Sequence, residues 1–179
     1  MFDFLVNVQE NDQHLKAVND ALKELRNLEV LVGIPEENTS RQAGEKINNA
    51  ELLYIHTNGS IKRNIPARAV IEPAIKDDQE VIGNLLKQAA QKALDGDKAG
   101  MRQGLKKAGM RGEEVSKGWF INPKNGWDSL KQSAERNRER KMTKKQVKDA
   151  KNQDGGIVHK PLIDTGDLRK AITYVIREK

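Results

Sequence analysis

Two prolines seven residues apart, Pro66 and Pro73, constrain this chain more than any other feature. Proline fixes its own φ at about −65° and biases the preceding residue away from the α region. The stretch Ala67 to Glu72 between them is therefore predicted to be extended. Upstream, a helical run over Lys46 to His56 leads into Asn58-Gly59, a pair suited to positive φ and hence to a turn. Pro73 in turn suits the first turn of a following helix. The predicted order is helix, turn, extended piece, long helix.

That long helix is the clearest in the chain. Val81, Ile82, Leu85, Leu86, Ala89, Ala90, Ala93 and Leu94 recur at helical spacing until Asp95-Gly96-Asp97 ends the run. Lys98 to Lys117 has Met101, Leu105, Ala108 and Val115 as apolar points but is interrupted by four glycines. It reads as a second helix continuing the first through a kink. Trp119 to Trp127 is a turn-rich loop. Asp128 and Thr143 are candidate N-caps for two short charged helices broken near Met142, and Asn152 to Gly156 is flexible by composition. At the other end, Phe2, Phe4, Val6 and Val8 alternate as in a half-buried strand. Leu15, Val18, Leu22 and Leu25 predict a helix with an aliphatic core face. Val30 to Ile34 reads as a buried strand stopped by Pro35, and Glu36 to Gly44 as a polar loop. Ile172, Tyr174 and Ile176 mark a last strand within Leu168 to Ile176. The fold class predicted is α+β. A small mixed or antiparallel sheet of three strands packs against amphipathic helices in one domain over 1–179, with a basic loop and helix excursion over 119–160.

Composition narrows the function classes. Hydrophobic residues make up 36% of the 179 and aromatics 4%, so the core should be modest and aliphatic. Charged residues reach 32% and mean hydropathy is −0.76, which suits a chain with a partner surface or long exposed elements. The absence of Cys removes disulfides and thiolate metal sites and fits assembly in a reducing cytoplasm. No apolar run approaches the roughly 18 residues a membrane span needs. The opening Met-Phe-Asp-Phe has no basic n-region, so no secretory signal is expected.

Catalytic readings fare poorly. His14, His56 and His159 are far apart with no ligand-spaced neighbours. Gly104 and Gly109 are followed by Met110-Arg111 in place of the Lys-Ser/Thr of a phosphate loop. Asp77, Asp78 and Glu80 sit in a first helical turn, where they complement the helix dipole. Asp164-Thr165-Gly166 copies the tripeptide of dimeric aspartic proteases, but only 13 residues follow Gly166, too few for the β framework such a site needs. Its bland alternative is that Asp164 caps a short turn entering Leu168-Arg169-Lys170. The chain is predicted not to be an enzyme and to use no metal or cofactor.

One charge signal survives. From Lys131 to Lys151 there are nine basic residues (Lys131, Arg136, Arg138, Arg140, Lys141, Lys144, Lys145, Lys148, Lys151) against three acids (Glu135, Glu139, Asp149). That surplus of +6 equals the net charge of the whole chain. Such a cluster attracts phosphates by counterion release, or it is a solvated helical face. Trp127 beside it could stack on a base or anchor the excursion to the body.

Ile55-His56-x-x-Gly59 followed by Ile65-Pro66-Ala67-Arg68 and Pro73-Ala74 resembles a pattern in tail-completion and neck proteins of tailed bacteriophages, the virion morphogenesis and minor tail-component group. Lys160-Pro161-Leu162-Ile163-Asp164-Thr165-Gly166-Asp167-Leu168-Arg169-Lys170-Ala171-Ile172-Thr173-Tyr174 is similar to a second segment of that group, Pro-Leu-x-Asp-Thr-Gly-x-Leu-Arg-x-(Ser/Ala)-Ile, and the two occur in the family's order. The chain has Thr57-Asn58 where the group often has Glu-Phe, and Ala69-Val70 where it often has Pro-Phe. The resemblance gives His56, Gly59, Pro66, Arg68, Pro73, Asp164, Thr165, Gly166, Leu168 and Arg169 a structural role. Arg68 is expected to tie the corner through a carboxylate or carbonyl. The resemblance implies a virion protein assembled in the host cytoplasm into a ring of identical copies, a hexamer, at the neck or head-proximal end of a tail. Its neighbours would be connector, tail-terminator and tail-tube proteins, with genomic DNA in the lumen and no membrane. The rival class is a DNA-binding protein acting in trans through 131–151.

Overall fold

The computed structural model describes residues 2–41, 45–128, 136, 140, 162 and 166–179, with side chains from residue 12 onward. The fold is α+β. Helix α1 (Phe2–Asn27) runs directly into strand β1 (Leu28–Gly33), and helices α2 (Asn49–Asn58), α3 (Ile71–Asp77), α4 (Gln79–Leu94) and α5 (Lys98–Trp119) follow. A five-residue helix, α6 (Asp167–Ala171), leads into strand β2 (Thr173–Glu178).

Helix α5 is the axis of the molecule, packing on α4, α3 and both strands. Its direction corrects the sequence reading. It does not continue α4 through a kink but folds back along it. Lys92 pairs with Asp97 at the turn, Gly104 lies against Ala89, and Arg111 meets Asp78 near the start of α4. The glycines read as interruptions are what permit this packing. A Cβ on Gly104 would stand 2.7 Å from the Ala89 Cβ, one on Gly112 2.8 Å from Val32 Cγ2, and one on Gly109 would overlap the Tyr174 ring. Residues 100, 104, 108, 112 and 116 are Gly, Gly, Ala, Gly and Ser, a row of small residues every fourth position. Such a row drifts around a helix of 3.6 residues per turn, so it serves α4 at one end and the sheet at the other.

The sheet is antiparallel and, among the described residues, has two strands. The register places Val32 opposite Tyr174 and Val30 opposite Ile176. The predicted N-terminal strand over Phe2 to Val8 is absent, because that segment is the start of α1. Phe2, Leu5 and Val6 also satisfy helical spacing, and no Gly or Pro interrupts the chain before Gly33. Leu15, assigned to the core face, is 54% exposed, whereas Ala21 of the same helix is fully buried. The predicted last strand begins at Thr173, with Leu168 in α6. Ile71 and Glu72, expected extended, already belong to α3. Pro73 falls in that helix's first turn, where a missing N–H forfeits no intrahelical bond.

Two hydrophobic clusters flank α5. At its C-terminal end Trp119 and Phe120 pack with Val70, Ala74, Leu168 and Ile172. At its N-terminal end Met101 packs with Ala21 and Ala93, backed by Leu22, Leu25 and Leu28.

Candidate functional site

The corner formed by residues 48–74 is built outward from α2. Asn48 and Glu51 form a reciprocal capping box, with the Glu51 N–H donating to Asn48 Oδ1 (2.8 Å) and the Asn48 N–H to Glu51 Oε2 (2.9 Å). Buried Asn49 donates through Nδ2 to the Ser40 carbonyl at 3.0 Å, and its N–H donates to Thr39 O at 2.9 Å, which binds the preceding loop to the start of the helix. Gly59 ends α2 at φ 72°, and a Cβ there would sit 2.8 Å from Ala67 N and 2.9 Å from Ile65 O. Only glycine fits both the dihedral and this approach. Ser60 and Ile65 then exchange two backbone hydrogen bonds (2.8 and 2.9 Å) around a short turn, Ile61 to Asn64, in which Asn64 takes φ 50°. The Arg68 N–H returns to the His56 carbonyl at 2.6 Å and closes the corner.

Pro66 is exposed, and Pro73 is half-buried in the first turn of α3. The Arg68 guanidinium donates from Nη2 to the Asp128 carbonyl at 3.4 Å, in an exposed setting. That is a long bond to solvent-accessible backbone, and it gives Arg68 only a small share in holding the corner. His56 Nδ1 is buried and has no hydrogen-bond partner. Burial lowers the His56 pKa below its usual 6.5, and the Arg68 charge lowers it further, so the ring is neutral at pH 7.

The second motif reaches the same place. Gly166, at φ 81°, precedes α6, which packs against α2. Leu168 is 6% exposed and Ile172 fully buried, both in the cluster that holds Val70 and Ala74. Arg169 Nε donates to the Lys117 carbonyl at 2.8 Å, placing a cation among the free carbonyls at the end of α5. Leu162 packs on this cluster at φ 62°. Asp164 and Thr165 lie outside the described residues, as does the proposed capping by Asp164. Trp127 packs on the body, edge to face with Phe120 at 6.2 Å between ring centres.

Of the basic segment, Arg136 and Arg140 are helical and exposed. Lys131, Arg138, Lys141, Lys144, Lys145, Lys148 and Lys151 lie outside the described residues, as do the Thr143 cap and the break near Met142. Among the described residues, no group of three or more His, Asp or Glu side chains is placed to hold a metal ion. No described helix is long and apolar enough to cross a membrane.

Sequence reasoning missed two features. One is the fork in which Arg111 Nε and Nη2 donate to the two Asp78 carboxylate oxygens, each at 2.7 Å, at the break between α3 and α4. The Arg111 hydrogen bonds hold Asp78 below the usual carboxylate range, against the opposing effect of burial. The other is the tip Ile61-Lys62-Arg63, in which Ile61 is 101% exposed. The spacing signal for the fork was the small-residue row that brings α5 back along α4. No protein-family model, curated protein or solved structure matches this chain.

Proposed function

We propose that the chain is a structural virion protein that forms a ring at the neck or head-proximal end of a phage tail, completing the tail and helping to join it to the head. The observation that carries this reading is the meeting of the two motif stretches. Ala74 and Leu168 are 94 positions apart in sequence, yet they share one buried cluster with Ile172. Their meeting in one corner supports reading the two stretches as parts of a single motif. The residues named by the resemblance, Gly59, Pro66, Pro73, Gly166, Leu168 and Arg169, act here through backbone geometry, packing and helix-end contacts, as a structural role requires.

A map of the virion neck tests this reading. The expected result is a ring of density into which the α4–α5 hairpin and the Gly59 corner fit. Particles that lack the chain and still join heads to tails normally would overturn it.

A second reading, DNA binding through the basic segment, draws on the exposure of Arg136 and Arg140. Reversing Arg136, Arg138, Lys144 and Lys145 to Glu separates the cases. Tails that attach while DNA retention or delivery changes place the segment in a DNA-lined lumen. Failed joining makes it a protein-docking surface. Normal particles together with salt-insensitive, weak DNA binding by the free protein make it a solvated face.

A further inference from the structure

We infer that the Gly59 corner binds duplex DNA along its phosphate backbone, through Lys62 and Arg63 of its tip and Arg68 behind it, beside the point where the basic segment leaves the body. From Leu52 to Ile71 the chain has three cations, Lys62, Arg63 and Arg68, and no acid. Lys62 and Arg63 are exposed, and among the described residues none of the three is in an ion pair. Arg68 uses one N–H on its long bond to the Asp128 carbonyl, which leaves most of its five donors for a phosphate. Of the flanking acids, Glu51 is turned toward the start of α2 by the capping box, and Glu72 lies past the corner in the first turn of α3.

The tip is preformed. The paired hydrogen bonds of Ser60 and Ile65 and the close approach of Gly59 to Ala67 hold it, so little ordering is left to do on binding. The tip and Asp128 line one open hollow of about 500 Å³, in which Asp128 is the one acid among the lining residues. Three residues along the chain from Asp128 begins the segment Lys131 to Lys151, with its nine cations and three acids. The chain's largest charge surplus therefore starts beside the corner's own cations. Two polyanions fit a wholly exposed isoleucine followed by two cations, a nucleic acid and an anionic membrane. Magnitude decides between them. Even a whole myristoyl chain gives only marginal membrane binding, and one isoleucine buries far less. Phosphate contacts, in contrast, accumulate with every cation that reaches the duplex. This corner contact rests on the DNA-binding reading and adds residues of the folded body to it.

The test titrates full-length chain against a fluorescent random-sequence DNA duplex at a series of NaCl concentrations. Lys62→Gln with Arg63→Gln should lower the slope of log K against log[salt] by about two, one for each cation. Lys106→Gln with Lys107→Gln removes the same charge from exposed positions on α5 and should leave the slope unchanged. Reversing Arg136, Arg138, Lys144 and Lys145 to Glu should weaken binding and leave a remainder that the corner pair removes. Ile61→Ser should keep the slope, since an apolar contact releases no counterion. Equal effects of the corner and α5 pairs would mean that only net charge matters, and would overturn the inference. A corner pair that binds like wild type would overturn it too, leaving DNA binding to the segment alone. No salt-dependent binding by wild type would sink both. If wild type instead prefers vesicles of phosphatidylserine and phosphatidylcholine, and Ile61→Ser abolishes that binding, the tip is a membrane contact and the DNA assignment is wrong.

Discussion

The two ends of α5 solve the same packing problem differently. At the C-terminal end the space between segments is filled by large side chains, Trp119 and Phe120, and the cluster draws in four stretches widely separated in sequence. At the N-terminal end the buried members are Ala21, Ala93 and Met101, and the backbones approach instead. The first arrangement ties the chain's far parts together and depends on volume. The second depends on the absence of volume. A deletion of atoms should therefore hurt one end, and an addition of atoms the other.

The harshest test removes the contribution of the C-terminus. Truncation after Asp167 deletes Leu168, Ala171, Ile172 and the whole of β2, leaving β1 without its partner. Insoluble protein or loss of cooperative unfolding is expected, since apolar surface and an unpaired edge are exposed together. A soluble, monodisperse product would mean that the α1–α4–α5 end folds by itself. Next in size is Phe120→Ala, which empties a fully buried site and removes the edge-to-face contact with Trp127. It should cost about 3–5 kcal/mol in denaturant unfolding.

Between the two ends lies the Arg111–Asp78 fork, with side chains 34% and 16% exposed. Arg111→Gln should cost about 1.5–3 kcal/mol, because a largely buried carboxylate loses its charged donor. The Asp78 pKa is lowered in the folded state, so its contribution is present above the ordinary value of 3.8 and lost as pH falls through the folded value. The variant should lack that part of the acid loss, which urea melts at a series of low pH values would reveal. For the N-terminal end, Gly104→Val should cost about 1–3 kcal/mol by forcing α5 away from Ala89. Gly118→Ala is the control. Nothing lies within 4 Å of the Cβ it would gain, so it should leave stability unchanged or raise it by up to about 1 kcal/mol.

The same contrast explains what could be read from sequence. Side chains that fill space leave a pattern. The apolar series of α4, the β-branched run of β1 and the alternation of Tyr174 and Ile176 all pointed to the elements found. Proline and glycine chemistry likewise located the turn at Gly59 and the non-helical Pro66 to Ala69, whereas Val70, also expected extended, already has helical dihedrals. Packing by absent side chains leaves a pattern that looks like weakness. The glycines of α5 lower helix propensity by local rules, and only the partner they admit reveals their use. The N-terminal segment failed for another reason. Seven residues can satisfy period two and helical spacing at once, and the long uninterrupted run to Asn27 decided between them. Arg68 shows the limit for side chains. Its backbone N–H closes the corner, whereas the guanidinium that drew notice reaches only an exposed carbonyl.

The smallest predicted effect is a pH response confined to one end. Among the residues of the N-terminal cluster, Ala21, Ala93, Met101, Leu22, Leu25 and Leu28, there is no ionisable side chain. At the other end, the corner that carries Val70 and Ala74 contains His56, whose buried Nδ1 faces no acceptor and whose pKa is lowered by burial and then by Arg68. The unfolded chain binds a proton near pH 6.5 more readily than the folded one. The stability contributed by a neutral His56 is therefore complete above that value and is lost as pH falls through the folded pKa. Wild-type Tm should decline between about pH 7.5 and 5.5 by more than it does in His56→Gln, which keeps a polar side chain but cannot titrate there. Met101→Leu, a near volume-conserving change at the opposite end, should keep the wild-type slope. If His56→Gln keeps the wild-type slope as well, the imidazole is hydrated in solution and the two ends respond to pH alike.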